Sequence, residues 1–325
     1  MIAVQEFRAM GAACMISVYA EAKAQELASL GAMRVELLEQ AWSRFRESSE
    51  LNRLNSLAGT GPVEVSADLL TLVWHMMRAW NMTDGLFDPT MLSEIKASGY
   101  DADYATVIAR GALAGVATWN STDPVVRVSH MGEVLIDQEA STVTLPAGIG
   151  LDPGAIGKGL AADVIANELM HAGATGVLVD LGGDIVVAGT PADVDNESNT
   201  WVIAIEDERD PDNSARDPQL VTFTLDSSDS DFETRGIATS STLYRRWAGG
   251  TRHHVIDPRT GQMADPDLIQ ATVWCAAGWL AEVTATAALL MKPQEAQRWL
   301  ETRAVGYTVM TPTAMWTSQE KVQHG

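Results

Sequence analysis

Cysteine is scarce: the 325-residue chain carries two, Cys14 and Cys275, each in a hydrophobic stretch. The count excludes a disulfide framework and a CxxC-type zinc site, and the thiols read as buried and free. Basic residues are few as well. Against 43 Asp and Glu stand 22 Lys and Arg, for a formal net charge of −21 and a pI near 4.5. That balance argues against nucleic acid as a partner, since backbone binding needs a basic face that releases counterions, and against an anionic membrane surface. A polyanionic ligand must then be held locally, by a metal ion, a helix N-terminus or a few placed cations. Long apolar runs are missing too. The longest, GWLAEVTATAALLM at 278–291, is shorter than the ~18 residues a membrane span requires and contains Glu282. The opening MIAVQEFRAMGAAC lacks a basic region followed by an apolar stretch and a cleavage site, so the expected location is cytoplasmic.

What is present is an alternation of strand and helix signals. AACMISVY at 12–19 alternates, with Cys14, Ile16 and Val18 on one face, and leads to a helical run at 22–42 marked by Leu27, Leu30, Leu37 and Trp42. A second helix is predicted over 67–81, capped by Ser66, with Leu69, Leu70, Val73, Met77 and Trp80 as its stripe. Short strands are expected around 125–145. LDPGAIGKGLAADVIANELMHAG at 151–173 reads as a glycine-rich turn feeding a helix that stops at Gly173. GVLVD (176–180) and DIVVAG (184–189) flank a Gly182-Gly183 turn, with further strands at 201–206 and 220–225 and a solvated polar loop at 207–218 between them. The chain closes with a strand at 271–276, helices at 279–291 and 294–303, the latter after Pro293, and a strand at 305–311. Length alone suggests about two domains. No shift in composition marks a boundary, so one integrated α+β unit over 1–325 is the expectation.

Three segments have chemical potential, and each also has an ordinary reading. DPGAIGKG at 152–159 lets backbone approach a ligand and offers a helix start to an anion, but its spacing is neither a P-loop nor GxGxxG, and a plain strand-to-helix connection fits equally. In HHVIDPRTG at 253–261, two histidines precede an Asp-Pro turn, and only one of the pair can face a given pocket. Glu282 and Thr286, four apart on one helix face, offer a carboxylate and a hydroxyl to a hard cation such as Mg²⁺, or form a polar pair at the edge of a buried helix.

In order and spacing, these segments and several others resemble the FAD:protein FMN transferase (ApbE-type) family. The resemblance runs through AMGAAC (9–14), SRFRESSELNRLN (43–55), DGLFDPTM (84–91), SGYDADY (98–104), LDPGAIGKGLAAD (151–163), VDLGGDIVVAG (179–189), TSSTLYRRW (239–247), HHVIDPRTG (253–261) and AEVTATAALLM (281–291). It implies an ApbE-like (T-fold-like) α+β unit with mixed or antiparallel sheets and flanking helices. FAD would lie in an elongated cleft with Mg²⁺ on its pyrophosphate. Matched residue by residue, the resemblance makes the metal ligands the Gly157 carbonyl, the Glu282 and Thr286 side chains and the Ala285 carbonyl. It assigns flavin and adenosine contacts to Met10, Phe45, Leu86, Phe87, Asp88 and Val255, with Gly154 and Lys158 near the phosphates.

The implied reaction is magnesium-dependent protein flavinylation: a Thr or Ser hydroxyl of an acceptor protein attacks the FMN-side phosphorus of FAD and AMP departs. His254 and Glu282 are the expected catalytic residues, His254 as base or phosphate contact, because an imidazole with pKa ~6.5 suits proton transfer near neutrality. Departures from the family pattern are Glu282 where Asp is usual, Ala12 for a Thr, and Pro153 and Ala155 in the glycine-rich turn. The longer Glu asks the metal to move, the helix to retreat or the affinity to fall. Two alternatives share the site: hydrolysis of FAD to FMN and AMP, and FAD binding without catalysis.

Overall fold

The computed structural model describes residues 1–111, 127–191, 200–210, 219–224 and 233–318, which form two compact units. One comprises Met1–Leu37, Lys158–Ser240 and Leu268–Gly325, and the other Leu38–Gly157 and Ser241–Asp267. The helices, in chain order, are α1 (Ala24–Trp42), α2 (Glu50–Ser56), α3 (Ala67–Met82), α4 (Leu92–Ala97), α5 (Tyr104–Ala109), α6 (Gly157–His171), α7 (Gly278–Leu289) and α8 (Pro293–Leu300).

The first unit is organised by an eight-stranded sheet: β1 (Ile2–Ala9), β2 (Ala12–Tyr19), β3 (Gly176–Leu181), β4 (Ile185–Gly189), β5 (Thr234–Ser241), β6 (Gln270–Cys275), β7 (Gly306–Met310) and β8 (Met315–Thr317). Their order in the sheet is their order in the chain. The β1–β2, β2–β3, β3–β4, β4–β5, β6–β7 and β7–β8 pairs are antiparallel. Two-residue turns with both φ positive close the first hairpin at Met10-Gly11 and the third-to-fourth at Gly182-Gly183, the conformation that matches strand twist. Gly182-Gly183 meets this demand without a Cβ, whereas Met10 is a non-glycine residue at φ 50°.

Alternation along the strands sends successive side chains to opposite faces. Cys14, Ile16 and Val18 are buried, as expected, and Gly31 of α1 lies so close to this face that a Cβ there would stand 2.9 Å from Ile16 and 3.2 Å from Leu169 of α6. On the other face Leu178, Ile185, Val187, Ile237 and Trp274 pack under an antiparallel hairpin, Thr200–Ile205 with Gln219–Thr224, which contributes Trp201, Ile203, Ile205, Val221 and Phe223. Each aliphatic or aromatic side chain so buried contributes roughly 1.5–3 kcal/mol.

In the second unit Ser49, Ser66 and Asp103 accept the N–H groups of Asn52, Leu69 and Thr106 and start α2, α3 and α5. Leu92, Ile95, Tyr100, Val107 and Trp247 form a small core. Three short strands pair as Val63–Glu64, Thr142–Thr144 and Leu135–Asp137, and two ribbons as Arg246–Trp247 with Arg252–His253 and Ile256–Asp257 with Gln262–Met263.

The structure corrects two helical stripes. In α1, Leu27 and Trp42 are buried but Leu30 and Leu37 are exposed, the buried positions being filled by Ala28, Val35 and Leu38. In α3 the buried line is Leu69, Leu72, Val73, Met76 and Ala79, one position off the expected Leu70, Met77 and Trp80. A helix rich in apolar residues on several sides leaves its inward face undetermined by periodicity. Strand β1 is an addition, since its exposed Ile2 and Val4 at the sheet edge blur alternation. Of the predicted features, residues 125–126, 211–218 and 225 lie outside the described residues.

Candidate functional site

The centre of the sheet unit is the meeting of α6 and α7. α7 is almost wholly buried and lacks a local cap, because Ala277 at its N-cap position has no side-chain acceptor. Its first amides are taken instead by Asp163, midway along α6, whose Oδ1 accepts from Gly278 N–H (2.7 Å) and Oδ2 from Trp279 N–H (2.8 Å). Burial pushes the Asp163 carboxyl up to about 7, against the downward pull of those two bonds. In return, Glu282 on α7 reaches the start of α6, where its Oε2 accepts Gly159 N–H at 2.8 Å. Three glycines permit this approach: a Cβ on Gly159 would lie 2.4 Å from Gly278 O, one on Gly236 2.3 Å from Gly278 N, and one on Gly278 2.5 Å from Val186.

One helical turn beyond Glu282, Thr286 is half-buried and its Oγ1 lies 2.7 Å from Ser240 Oγ of β5. Glu282 is 5 % exposed, a burial that a carboxylate tolerates only with a partner such as the Gly159 amide. At the start of α6, Lys158 forms an ion pair with the buried Asp184, the residue that leads from the Gly182-Gly183 turn into β4. Nearby Asp180 accepts Gly183 N–H (2.8 Å), and burial together with the Asp184 charge raises its carboxyl above the usual range. The donor set of Glu282 and Thr286 is of hard oxygens, which suits Mg²⁺, and the carbonyls of Gly157 at the first turn of α6 and Ala285 on α7 are of the same kind. Among the described residues no group of three or more His, Cys, Asp and Glu converges. A site here would be one carboxylate supplemented by hydroxyl and carbonyl oxygens.

In the second unit the glycine-rich turn is held from below. Asn55 exchanges two hydrogen bonds with the Leu151 backbone (2.8 and 3.0 Å), and Arg44 Nε lies 3.2 Å from Asp152, whose Oδ1 accepts Gly154 N–H. Ala155 takes a left-handed φ of 67°, the strain that follows from a Cβ where glycine would be free. Gly154 is exposed, and the Gly157 amide returns to Pro153 O (2.9 Å). Phe45 is 39 % exposed, with the Arg44 guanidinium 4.0 Å from its ring centre, so an aromatic face is offered to solvent over a fixed cation.

Leu86 is half-buried, whereas Phe87 is buried and anchors its loop. Asp88 accepts the Thr90 amide and hydroxyl and pairs with Arg127 at 2.5 Å. Arg127 also reaches Glu94 (2.6 Å), and although burial alone would lower it, these carboxylates raise its pKa. Removing one member of such a buried pair leaves the other charge uncompensated, so Arg127→Ala should cost about 3 kcal/mol in chemical denaturation. A variant that unfolds with wild type would show that Asp88 is solvated.

The histidine pair is resolved by the ribbon it ends. His253 is buried, its Nδ1 accepting Val255 N–H at 3.3 Å, and burial with the nearby Arg246 charge lowers its pKa. His254 is the more exposed of the two, and Val255 is again buried. Both cysteines are buried thiols outside any disulfide, and burial lifts Cys275 to about 12. Asp163, Asp184, Ser240 and Arg127 are the functional or supporting residues not singled out from sequence. The first three do fall within segments that carry the family resemblance, and only side-chain partners distinguish them.

Fold and site together define an α+β protein whose most constrained polar groups gather where two helix starts exchange carboxylates. Residues 10–311 match the model of the ApbE family, and the chain belongs to that family. It is 30% identical over 293 residues to the FAD:protein FMN transferase of Treponema pallidum, covering 87% of this chain and 76% of that one. The protein of the same name from Klebsiella pneumoniae is 26% identical over 301 residues, covering 91% and 80%. Among solved structures, the fold is similar to the ApbE protein of Thermotoga maritima (TM-score 0.75, 21% identity, 98% of this chain and 97% of that one). It is also similar to flavin transferase ApbE from Vibrio cholerae (TM-score 0.72, 21% identity, with the same coverage).

Proposed function

We propose that the chain is an FAD:protein FMN transferase that moves FMN from FAD to a Thr or Ser hydroxyl of an acceptor flavoprotein, with Mg²⁺ as cofactor, and that it works in the cytoplasm as one ApbE-like domain. The observation that carries this reading is Glu282 of α7 set against the start of α6, with Thr286 one turn further on against Ser240 of β5. Glu282, Thr286 and the carbonyls of Gly157 and Ala285 would hold Mg²⁺, which when bound supplies charge neutralisation at the pyrophosphate. Lys158, held by Asp184 at the same helix start, is the cation for a phosphate oxygen.

In the reaction the acceptor oxygen forms a bond to the FMN-side phosphorus, and the bond from that phosphorus to the bridging oxygen breaks. AMP keeps the bridging oxygen, and the hydroxyl proton passes to a base. His254 is assigned as that base because its neighbour His253 is buried and engaged with Val255 N–H. Positioning supplies most of the remaining acceleration.

Purified protein incubated with FAD and Mg²⁺, with and without a flavin-acceptor protein, tests the reading through AMP release and covalent fluorescence on a denaturing gel. Fluorescence on the acceptor that requires metal is expected. AMP formed equally without acceptor would replace transfer by hydrolysis, and tight FAD binding without AMP would leave a binding protein.

A further inference from the structure

We infer that Asp163 is a positioning residue, which sets α7 against α6 and thereby holds Glu282 in the place where it can serve a cation. The two helices are joined by carboxylates exchanged in opposite directions: Asp163 of α6 takes the first amides of α7, and Glu282 of α7 takes an amide from the first turn of α6. Neither bond can be made by its own helix. Ala277 offers α7 no side-chain cap, and the acceptor comes from 115 residues away along the chain.

The exchange acts as a lever because the backbone contact between the helices is already at its limit. Gly159, Gly236 and Gly278 meet with room for hydrogen alone, so α7 has one depth at which both carboxylates reach their amides. Asp163 is four residues C-terminal to Gly159 on α6, and Glu282 is four residues C-terminal to Gly278 on α7. Each carboxylate therefore lies about one turn from the point of closest approach. Loss of the Asp163 bonds would leave two buried N–H groups without acceptors and free α7 to shift along its axis, carrying Glu282 and Thr286 with it. Both Asp163 hydrogen bonds go to the backbone of α7, so its effect on those side chains passes through the helix.

The metal part of this inference rests on the proposed function, while the coupling between the two bonds does not, and the experiment separates them. Asp163→Asn keeps one acceptor oxygen and turns an NH₂ toward the other amide; Asp163→Ala removes both acceptors. Amide hydrogen exchange at Gly159, measured on the whole protein, reads the Glu282 bond without any metal. Exchange at Gly159 at least about tenfold faster in Asp163→Asn than in wild type is expected, although Asp163 does not bond that amide. Calorimetric titration with Mg²⁺ in the presence of FAD should show affinity weakened about tenfold or more, in the range found when a group supporting a metal ligand is removed.

Unchanged exchange at Gly159 in a folded Asp163→Asn protein would overturn the inference. Faster exchange with Mg²⁺ affinity equal to wild type would overturn its metal part and keep the coupling. Wild-type protein that binds no Mg²⁺ would remove the ligand assignment while the exchange result still decides the coupling. Should Asp163→Ala not fold, Asp163→Asn alone carries the comparison; should neither fold, wild-type exchange decides, since the Gly278, Trp279 and Gly159 amides are expected to open together and a Gly159 amide that opens independently of the other two would overturn the inference. Ser240→Ala removes a Thr286 contact and leaves Asp163 in place, so Gly159 exchange as fast in it as at full opening would overturn the assignment to Asp163.

Discussion

Glu282→Gln should reduce magnesium-dependent flavin transfer by at least about 100-fold while leaving the melting temperature within a few degrees of wild type. The amide oxygen of glutamine still accepts the Gly159 N–H that Glu282 Oε2 accepts at 2.8 Å, so the α6–α7 contact is retained. What disappears is the only negative charge in the proposed donor set. Groups that merely support a metal ligand already cost 10–100-fold when removed, and a direct anionic ligand should cost no less. Glu282→Ala separates the two roles, because it also strands a buried N–H, at about 1–3 kcal/mol. A Gln variant with full metal-dependent transfer would take Glu282 out of the chemistry and leave it as a structural acceptor. The Glu282 side chain thus has an observable structural use, since it reaches the amide of the opposing helix.

Gly159→Ala should be strongly destabilising, the reverse of its effect in an ordinary helix. In an ordinary helix the change is favourable by roughly 0.5–1 kcal/mol, through reduced backbone entropy of the unfolded chain. Here the added Cβ would stand 2.4 Å from the Gly278 carbonyl oxygen and 2.9 Å from Trp279 N, and both are backbone atoms that cannot turn aside. The helices must part, which costs about 3 kcal/mol or more and lengthens the Asp163 and Glu282 bonds together. Gly132→Ala is the control, because its Cβ would meet only Trp80 at 3.6 Å. Denaturant midpoints measured side by side decide the matter: a Gly159→Ala midpoint at or above wild type would mean that the close approach is absent.

Much of this architecture was legible in the chain, and the parts that were not share a physical cause. Alternation in AACMISVY gave β2 and its buried face, Gly173 gave the end of α6 and Pro293 the start of α8, because each signal is local. The inward faces of α1 and α3 were not legible, since apolar residues occur on several sides and tertiary packing chooses among them. The same limit applies to the site. Glu282 and Thr286 stand out by spacing, whereas the service of Asp163 to α7 depends on a partner far along the chain. The histidines illustrate both cases: alternation says that one of them turns inward, and only the ribbon ending at His253 says which.

The sequential order of the sheet bears on the entropy of chain closure. All neighbouring strands of the sheet are consecutive in chain order, and the longest connection is at the β2–β3 ladder, which joins Tyr19 to Gly176 across the entire 20–175 stretch. Closing a loop costs free energy that grows only with the logarithm of its length, about 0.6 kcal/mol for each doubling. At this ladder the sheet therefore carries its longest excursion at little more cost than a moderate one, and residues could be added to or removed from it with small effect on strand pairing. The same change in the two-residue turn between β3 and β4 would break the register of the sheet beside the Lys158–Asp184 pair.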